Sequence, residues 1–557
     1  MPITSIESAI AEWTTILGES GVVAASAADF GASTIGTKRS IPAVLRPENQ
    51  EQVAAALQVA QRWQVAVYPV STGNNWGYGS ANPVEDDCAI LDLGRLNRIS
   101  DFDPEMGVVT VGPGVTQGAL REFLDQHDGN YLVPVTGAGP TCSILGNALE
   151  RGYGITPITD HFAAVTKIEA ILPDGTLYRT PLSELGGAEV DGLFKWGLGP
   201  YLDGLFSQGN FGVVVNMTIA LAPVPDTVTA FFFSTKDDAK LEALVPTVRA
   251  VLRALGGSVV AINLLNSQRV LSMMTPFPED KAVDGVLPAH EVASLANSHG
   301  VPAWSGVGAI YASKEVAQAA RRTLRRLLGP VTDRLIFINR RKVKVARKIA
   351  HVLPGKLATR VKGMADTLAG ALEIMHGTPN DVALALAYWR SGALPEPGQP
   401  KNPARDGCGL IWFAPLVPIR GKDVRRYITM IERICPQYGV NPLITLTTVN
   451  DRCFDSTVPL LFDRSNADAT ARANTCYRAL YEAGQREGFL PYRLNIDAMD
   501  ILNTSGSAFT SLTSKLKAAV DPNFILAPGR YVPRIKKSSN ESFKKNSIKS
   551  SIKSSEV

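Results

Sequence analysis

The sequence predicts an α+β fold of at least two lobes, on three observations. The chain has 557 residues, whereas single hydrophobic cores stop growing at about 250 to 300 residues. From Ile41 onward, apolar runs of strand length alternate with segments of helical periodicity. Pro223-Val-Pro-Asp ends a strand pattern and cannot continue as a helix, so it marks a boundary between lobes.

The predicted first lobe covers residues 38–225 and follows an N-terminal helical segment of residues 1–37. Thr4 and Glu7 have the spacing of a capping box at the start of that segment. Helical periodicity predicts a helix over Glu48–Trp63, and Thr116 is placed to cap another. Apolar runs predict the strands of this lobe, which are Gln64–Val70, Ala89–Leu93, Gly107–Val111, Ala164–Leu172 and Thr176–Tyr178.

The second lobe is predicted over residues 226–480, where amphipathic helices alternate with strands such as Leu410–Ala414. Ser391–Asp406 is rich in Pro and Gly and predicts a surface loop. A last folded segment covers residues 481–533. Residues 534–557 form a Lys/Ser tail that is too polar to bury a core, so we expect disorder there and no catalytic role, with an electrostatic tether as the alternative.

Composition and charge argue against several classes of protein. The tail carries +5, from seven Lys or Arg and two Glu, which leaves −1 for the rest of a chain of net charge +4, so no nucleic-acid partner is expected. The six cysteines lack the spacing of zinc ligands, and neither a metal site nor a disulfide framework is expected. No apolar run could span a bilayer and no signal-peptide pattern is present, so a cytoplasmic protein is expected.

The segment Tyr68–Ala81 carries the clearest chemical signal. An apolar strand enters a turn with the sequence Ser71-Thr-Gly-Asn-Asn-Trp-Gly-Tyr-Gly. Because glycine has no Cβ, successive backbone N–H groups of such a turn can converge on an anion, and a pyrophosphate suits this arrangement. A tight turn without a ligand is the alternative.

A second glycine-rich segment, Gly137–Asn147, is followed by Arg151-Gly-Tyr-Gly. Two such segments in one α/β unit favour a long ligand held along its length. The stretch Gly112-Pro-Gly-Val-Thr-Gln-Gly imitates a dinucleotide fingerprint. However, no acidic residue stands about 20 positions later to bind a ribose, because the chain there reads Tyr131-Leu-Val-Pro-Val. An NAD site is therefore not favoured.

These segments and further motifs resemble the vanillyl-alcohol oxidase and p-cresol methylhydroxylase family over nearly the whole chain, from about Pro42 to Tyr531. The further matching stretches are Asp103-Pro-Glu-Met, Gly146–Pro157, Phe194–Gly204, Phe206–Gly212, Trp412-Phe-Ala-Pro, Pro491-Tyr-Arg and Asp521-Pro-Asn. The resemblance implies an FAD-binding domain of two α/β subdomains, an α+β cap domain that covers the isoalloxazine and holds the substrate, and a C-terminal segment that returns to the FAD domain.

The resemblance also implies which residues bind FAD. Six residues of the first turn would cradle the pyrophosphate, namely Ser71, Thr72, Gly73, Asn74, Asn75 and Gly77. Ser143, Gly146 and Asn147 would line the flavin, with Gly154 among the cofactor-binding residues. Gly212 and Val213 would hold the adenine side.

The family oxidises para-alkyl phenols by hydride transfer to flavin N5, which leaves a quinone methide that water can attack. The phenol must lose its proton, because a phenolate pushes electrons toward the para carbon as hydride leaves, and a free phenol has a pKa of about 10. Tyr78, Tyr492 and Arg493 match the family residues that stabilise this anion. Arg530 matches an arginine near the flavin pyrimidine edge, where positive charge favours reduced flavin.

The chain departs from the family pattern around the flavin. A family tyrosine of the phenolate site corresponds to Ile155, and the acidic residue that oxidase members place beside the flavin corresponds to Ala138. The two positions at which relatives link FAD covalently are Leu410 and Ala387. Noncovalent FAD is therefore predicted, with a linkage through Tyr388 as the alternative.

The cap also departs from the pattern. Positions that hold His or acidic groups near the reacting carbon in relatives read Leu446, Asp455 and Ser456. Asp455 is a candidate to activate water, with a solvated loop carboxylate as the alternative. His161 is predicted to be a hydrogen-bonded structural histidine rather than a base.

The sequence therefore predicts an FAD-dependent oxidoreductase that acts on a phenolic or other aromatic small molecule. One alternative is an FAD enzyme for a non-phenolic alcohol or natural-product intermediate, and another is a flavin-less binding protein on the same fold. The family resemblance is compatible with oxygen, a cytochrome or another electron acceptor, and with a homodimer.

Overall fold

A computed structural model describes residues 4–28, 30–127, 129–350, 366, 368–503 and 507–533. The predicted Lys/Ser tail, residues 534–557, lies outside these residues. Within them, no helix is long and apolar enough to cross a membrane. The six cysteines are free thiols.

The N-terminal helix, Ser5–Leu17, begins with the predicted capping box. The Thr4 hydroxyl accepts a hydrogen bond from the Glu7 backbone N–H, and the Thr4 N–H donates to the Glu7 carboxylate at 2.8 Å. Trp13 is fully buried and its indole N–H donates to the Ala56 carbonyl oxygen at 3.0 Å. This bond fixes the helix against the first lobe.

The first lobe contains two main sheets, as expected for two α/β subdomains, and a short antiparallel pair of strands, Tyr131–Leu132 with Ala222–Pro223. In spatial order, the smaller sheet consists of Val22–Val23, Val44–Leu45, Ala89–Asp92 and Val67–Val70, the last three being parallel. The larger, antiparallel sheet consists of Ile99–Asp103, Val108–Val111, Val213–Ala220, Val165–Ile171 and Leu177–Tyr178. The helices of this lobe are Gln50–Trp63, Gln117–Gln126, Ile144–Leu149, Pro181–Glu184 and Ala188–Asp191. The strands predicted here and the helix cap at Thr116 are confirmed.

The second lobe is built on one large antiparallel sheet, called here the cap sheet. In spatial order its strands are Arg334–Ile338, Thr227–Thr235, Trp304–Ala312, Val259–Asn266, Thr445–Thr448, Cys453–Asp463 and Cys408–Phe413, and Leu416–Pro418 also pairs with Cys453–Asp463. The helices of this lobe include Leu241–Ala254, Ser267–Met274, Ala289–His299, Lys314–Leu328, Arg340–Ala350, Gly421–Ile434 and Ala467–Glu487, and residues 368–375 are also helical.

The two faces of the cap sheet have different environments, because successive side chains of a strand point to opposite faces. Phe231 and Phe233 pack into the main hydrophobic core with the helices, whereas Phe232 between them faces a cavity. The same alternation places Leu264 in the core and its neighbours Asn263 and Leu265 on the cavity. One face of the cap sheet is therefore core and the other is a cavity wall.

The C-terminal helix, Ala508–Val520, leads into a segment that joins the first lobe. Leu526 forms a parallel bridge with Val67, through hydrogen bonds of 2.8 Å on either side. The Lys517 ammonium and the Asp521 carboxylate, both fully buried, lie 2.7 Å apart. This segment brings Arg530 to the cavity.

Candidate active site

A cavity of about 1080 Å³ lies between the first lobe and the cap sheet. It is large enough for a dinucleotide and a small substrate together, since single-ligand pockets span about 300 to 1000 Å³. Fifteen of the sixteen residues predicted for the site line it, which are Ser71, Thr72, Gly73, Asn74, Asn75, Tyr78, Ser143, Gly146, Asn147, Gly154, Gly212, Val213, Tyr492, Arg493 and Arg530. The site predicted from separate motifs is thus one continuous space.

The glycine–asparagine turn, residues 71–79, offers backbone donors to this cavity. The N–H groups of Thr72, Gly73, Asn74 and Asn75 have no protein acceptor among the described residues. Gly73 has a φ of +72°, which glycine adopts without strain. Consecutive amides of this kind form a nest that suits phosphate oxygens. The residues present therefore fit a bound pyrophosphate.

The second glycine loop, residues 137–147, is tied to the first by side chains. The Asn74 amide group donates to the Thr141 hydroxyl at 2.7 Å, and the Ser143 N–H donates to the Thr72 hydroxyl at 3.2 Å. A Cβ on Gly146 would lie 2.4 Å from Ser71 Oγ, so a larger residue would require the Ser71 side chain or the loop to shift. The two loops act as one cofactor-binding wall.

Gly77 is the predicted site residue that the structure does not bring to the cavity. Its N–H donates to the Thr34 hydroxyl at 2.7 Å and is therefore not available to a phosphate. It has a φ of +77°, and a Cβ there would lie 2.2 Å from the Trp412 ring. Gly77 thus shapes the turn and lets the cap strand approach.

A buried trio of charges stands at one end of the cavity. Glu150 forms ion pairs with both Arg493, at 3.1 Å, and Arg530, and its side chain is only 17% exposed. Arg493 also donates to the Asn75 side-chain oxygen, and Arg530 donates to the Tyr68 hydroxyl at 2.6 Å. Burial alone would raise the pKa of Glu150, but the two guanidiniums outweigh it and hold that pKa below its usual value. Two cations and one anion leave a net charge of +1.

Two tyrosines stand beside Arg493. Its guanidinium carbon lies 4.2 Å from the centre of the Tyr78 ring, a cation–π contact. Burial is the main cause that raises the pKa of Tyr78, and the neighbouring Tyr492 adds to the increase. Burial also raises the pKa of Tyr492, with a smaller contribution from Asp455. Both phenols are therefore neutral hydrogen-bond donors at neutral pH, next to a cation. This combination stabilises an oxyanion.

Four side chains of a transverse row on the cap sheet form the floor of this cavity, and the fifth, Asp455, continues the row beyond the lining residues. The strand register places each member of the row opposite the next one on the neighbouring strand, in the order Phe232, Val307, Asn263, Thr447 and Asp455. The row is apolar at Phe232 and polar at Asp455, which lies close enough to Arg493 to interact with it electrostatically.

Two of the three cap positions named from the sequence do not face the cavity. Leu446 is fully buried in the helix-side core. The buried Ser456 hydroxyl accepts a hydrogen bond at 2.9 Å from the hydroxyl of Tyr427, which belongs to the same core. Each occupies the face of its strand opposite to the cavity-lining Thr445, Thr447 and Thr457. The expectation that Leu446 and Ser456 stand near a reacting carbon is wrong for this reason.

Asp455 shares the cavity-side face, but it is not a solvated loop carboxylate. It lies within the strand Cys453–Asp463, is fully buried, and neither carboxylate oxygen has a hydrogen-bond partner among the described residues. Burial raises its pKa well above the usual value, and Arg493 only partly opposes this. A protonated carboxyl cannot take a proton from water, so a base role for Asp455 is not favoured.

Replacing Asp455 with asparagine is expected to stabilise the protein increasingly as the pH rises. The unfolded carboxyl ionises above about pH 3.9, whereas the folded one keeps its proton. The contribution of Asp455 to wild-type stability should therefore fall by about 1.4 kcal/mol per pH unit above that value, until the folded pKa is reached. Asparagine does not titrate, and urea unfolding at pH 5 and pH 8 measures the gap. A gap that is the same at both pH values would contradict the raised pKa.

His161 is a buried histidine that is hydrogen-bonded through Nδ1 to the Asn147 side chain at 2.6 Å. Burial lowers its pKa to about 4, so it is neutral at physiological pH. It positions Asn147, which lines the cavity, and this agrees with the structural role predicted for it.

The positions at which relatives link FAD are aliphatic here, and both Leu410 and Ala387 line the cavity. The Tyr388 hydroxyl donates to the Asp406 carboxylate at 2.5 Å. Burial and, to a smaller extent, the hydrogen bond to Asp406 raise the pKa of Tyr388. The raised pKa disfavours the phenolate form that a covalent linkage to FAD would need.

We therefore expect FAD to separate from the protein when it is precipitated with acid, and Tyr388→Phe to keep its full FAD content. Absorbance of the supernatant and the pellet measures this. Flavin that stays in the wild-type pellet but not in that of Tyr388→Phe would show the linkage instead.

Comparison with known proteins places this site in a family. A family model described as FAD binding domain matches residues 41–181. The chain is 35% identical over 533 residues to 1'-carboxy-chondrochloren decarboxylase of Chondromyces crocatus, a match that covers 94% of this chain and 97% of that protein. It is 28% identical over 487 residues to the 4-cresol dehydrogenase [hydroxylating] flavoprotein subunit of Pseudomonas putida, covering 86% and 85%.

A solved structure agrees with the sequence matches. Substrate-bound p-cresol methylhydroxylase matches with a TM-score of 0.83 at 25% identity and covers 95% of this chain and 97% of that one. The chain belongs to the vanillyl-alcohol oxidase and p-cresol methylhydroxylase family. It is therefore an FAD-dependent oxidoreductase. The 4-ethylphenol oxidase from Gulosibacter chungangensis, at 22% identity and a TM-score of 0.83, shares the fold.

Membership of this family sets aside the flavin-less alternative, and the cavity fits the cofactor. The free amides of the glycine–asparagine turn suit the FAD pyrophosphate, and the aliphatic side chains of Leu410 and Ala387 line the same cavity. The +1 trio of Arg493, Glu150 and Arg530 offers a positive end to the same space.

Sequence reasoning missed two site residues. Glu150 lies inside the matching stretch Gly146–Pro157, but no role was predicted for it from the sequence. Arg493 and Arg530 were both predicted for the site, and two arginines that are buried together need a carboxylate partner, which Glu150 provides. Arg269 also lines the cavity, on a cap helix that the sequence marked only as amphipathic.

Proposed function

We propose that this enzyme oxidises a phenol at the carbon attached para to its hydroxyl group. The observation that carries the proposal is that Arg493 lies against the Tyr78 ring and beside Tyr492 at one end of the cavity, where both phenols are neutral. The trio keeps a net charge of +1, so a bound phenolate would complete its charge balance. A site of this kind lowers the pKa of a bound phenol.

FAD, when bound, supplies a hydride acceptor at flavin N5. The chain has to hold the phenol oxygen and keep it ionised, and Arg493 does so as a cation whose pKa Glu150 raises. Glu150 and Asn75 fix the guanidinium in place before the substrate arrives, so little reorganisation is needed. The substrate loses two electrons and one proton from the side chain as hydride, and the phenolic proton goes to solvent.

A second candidate is oxidation of a natural-product intermediate that is not a simple alkyl phenol. The 35% identity to a chondrochloren decarboxylase favours it, as do the two departures at Ile155 and Ala138, which both line the cavity. Loss of bulk and of a hydroxyl at Ile155 would admit a larger side chain.

Anaerobic reduction of the FAD-loaded enzyme separates the two candidates. 4-Ethylphenol should bleach the flavin absorbance, and 4-ethylanisole, whose oxygen carries a methyl group and cannot ionise, should not. Bleaching by both compounds, or by benzylic alcohols but no phenol, would overturn the phenolate proposal. Reoxidation by air or by cytochrome c then identifies the electron acceptor.

A further inference from the structure

Arg269 stands on the cap wall of the cavity, away from the charged trio. The helix Ser267–Met274 begins after the strand Val259–Asn266, and the Asn266 side chain caps it by accepting from the Arg269 N–H at 3.0 Å. The helix presents Arg269, Val270 and Met273 to the cavity. These positions are spaced so that they share one helical face.

The guanidinium of Arg269 has no carboxylate partner in the part of the chain that the structure describes. Its one side-chain hydrogen bond is a long contact of 3.4 Å to the Ser272 hydroxyl, and its Nε atom is buried without a partner. Burial lowers the pKa of Arg269 to about 10, and no acid counteracts this, so it remains a cation at neutral pH. The residue is only partly exposed and lines the cavity, and a cation withdrawn from bulk water without a counterion is costly.

The other cations that line the cavity each have a carboxylate partner. Glu150 pairs with Arg493 and Arg530, and Lys401 lies 3.3 Å from the Asp381 carboxylate. Arg321 is a cap arginine that also has a buried Nε without a partner, but its Nη2 donates to Thr229 at 2.9 Å and its guanidinium faces the Phe337 ring. Arg269 has no comparable contact, which distinguishes it from a structural arginine.

The phosphates of FAD are not the anion that Arg269 is placed to meet. The free amides of Thr72–Asn75 belong to the first lobe, whereas Arg269 belongs to a cap helix that packs against the cap sheet and the turn Val382–Tyr388. The cap is the lobe that faces the substrate in this family. An anion beside Arg269 would therefore be part of the substrate.

The two arginines stand at different places across the cap sheet. Arg269 follows the end of Val259–Asn266, while Asp455, the neighbour of Arg493, lies two strands away. Two strand spacings amount to about 10 Å. Between them Asn263 Oδ1 and Thr445 Oγ1 are buried without partners, on residues that line the cavity. The floor is thus polar along the path from one arginine to the other.

We infer that Arg269 binds a carboxylate on the substrate side chain, at the end remote from the phenol oxygen held by Arg493. The inference rests on the proposed function for the position of the phenol, and it narrows the substrate class to para-substituted phenols that carry an anionic side chain. Arg is suited to this role because its planar fork donates two parallel hydrogen bonds to a carboxylate.

Equilibrium binding to the FAD-loaded enzyme, reduced beforehand with dithionite so that it cannot oxidise the probes, tests the inference. The probes are 3-(4-hydroxyphenyl)propanoate and the neutral 4-propylphenol. Wild-type enzyme should prefer the carboxylate, and Arg269→Gln should weaken it about 10- to 100-fold, as charge-assisted hydrogen bonds imply, while 4-propylphenol changes less than about twofold. Arg269→Lys should lie between.

Controls distinguish this site from its surroundings. Arg452→Gln removes an exposed cap cation, whose side chain is 76% exposed, and should leave both probes unchanged. FAD affinity and circular dichroism of Arg269→Gln should match the wild type. Equal weakening of both probes, a loss of FAD affinity, or wild-type enzyme that binds neither probe or shows no preference would overturn the inference.

The two proposals can fail separately. If Arg269 governs binding of the carboxylate probe but no phenol reduces the oxidised flavin, the phenol oxidation proposal fails and the carboxylate site stands. If phenols reduce the flavin but Arg269→Gln binds both probes as the wild type does, the carboxylate site is wrong and phenol oxidation stands.

Discussion

Replacing Arg493 with glutamine is expected to slow anaerobic flavin reduction by 4-ethylphenol about a thousandfold, equivalent to about 4 kcal/mol in the barrier. The variant loses the cation that holds the phenolate, while Glu150 keeps Arg530 as a partner, so the protein should still fold and bind FAD. Stopped-flow measurement of the flavin absorbance gives the rate. FAD content and circular dichroism check that the change is chemical.

The same variant should alter the pH dependence of reduction. In the wild type the rate should rise with pH through an ionisation below the phenol's own pKa of about 10, because Arg493 favours the anion. Without Arg493 that ionisation should move up by about 1 to 3 units. Arg452→Gln, on the exposed surface of the cap, should change neither the rate nor the profile. If the rate of flavin reduction decreased less than tenfold in Arg493→Gln, the proposal that Arg493 holds the phenolate would be wrong.

Replacing Glu150 with glutamine is expected to lower the free energy of unfolding by about 3 to 5 kcal/mol, since it leaves two buried arginines without an anion. The pKa of Glu150 is depressed in the folded protein, so its contribution is present above the unfolded pKa of about 4.3 and is lost as pH falls through the folded pKa. The difference between the two proteins should therefore be large at pH 7 and shrink in acid.

Denaturant unfolding of FAD-loaded and FAD-free protein measures this effect. Glu48→Gln is the matched control, because Glu48 pairs with Arg95 on the surface and its side chain is 66% exposed, so its loss should cost under about 1 kcal/mol. A Glu150 variant as stable as this control would show that water or another group neutralises the two arginines.

The fold could be predicted well wherever local pattern and family motif agree. Thr4 and Glu7 form the capping box that their spacing predicts, and the apolar runs Ala164–Leu172 and Thr176–Tyr178 contain neighbouring strands as predicted. The glycine–asparagine turn was recognised because the conformation at Gly73 and the free amides both depend on residue types that a sequence displays.

Other features depend on contacts that no single segment encodes. Gly77 carries the same signal as Gly73, yet its amide is used by Thr34, more than forty residues away in the chain. Leu446 and Ser456 were expected near the reacting carbon, but a shift of one residue on a strand reverses which face a side chain takes. Arg269 could not be distinguished from a surface arginine, because the absence of an acidic partner appears only in the folded structure.

The bridge between Val67 and Leu526 has a bearing on how the protein matures. These residues are separated by most of the chain, and the strand that holds Val67 runs directly into the glycine–asparagine turn. That strand gains its outer partner, and the cavity gains Arg530, only after the last folded segment has left the ribosome. A nascent chain should therefore bind FAD stably only after this last segment has been synthesised.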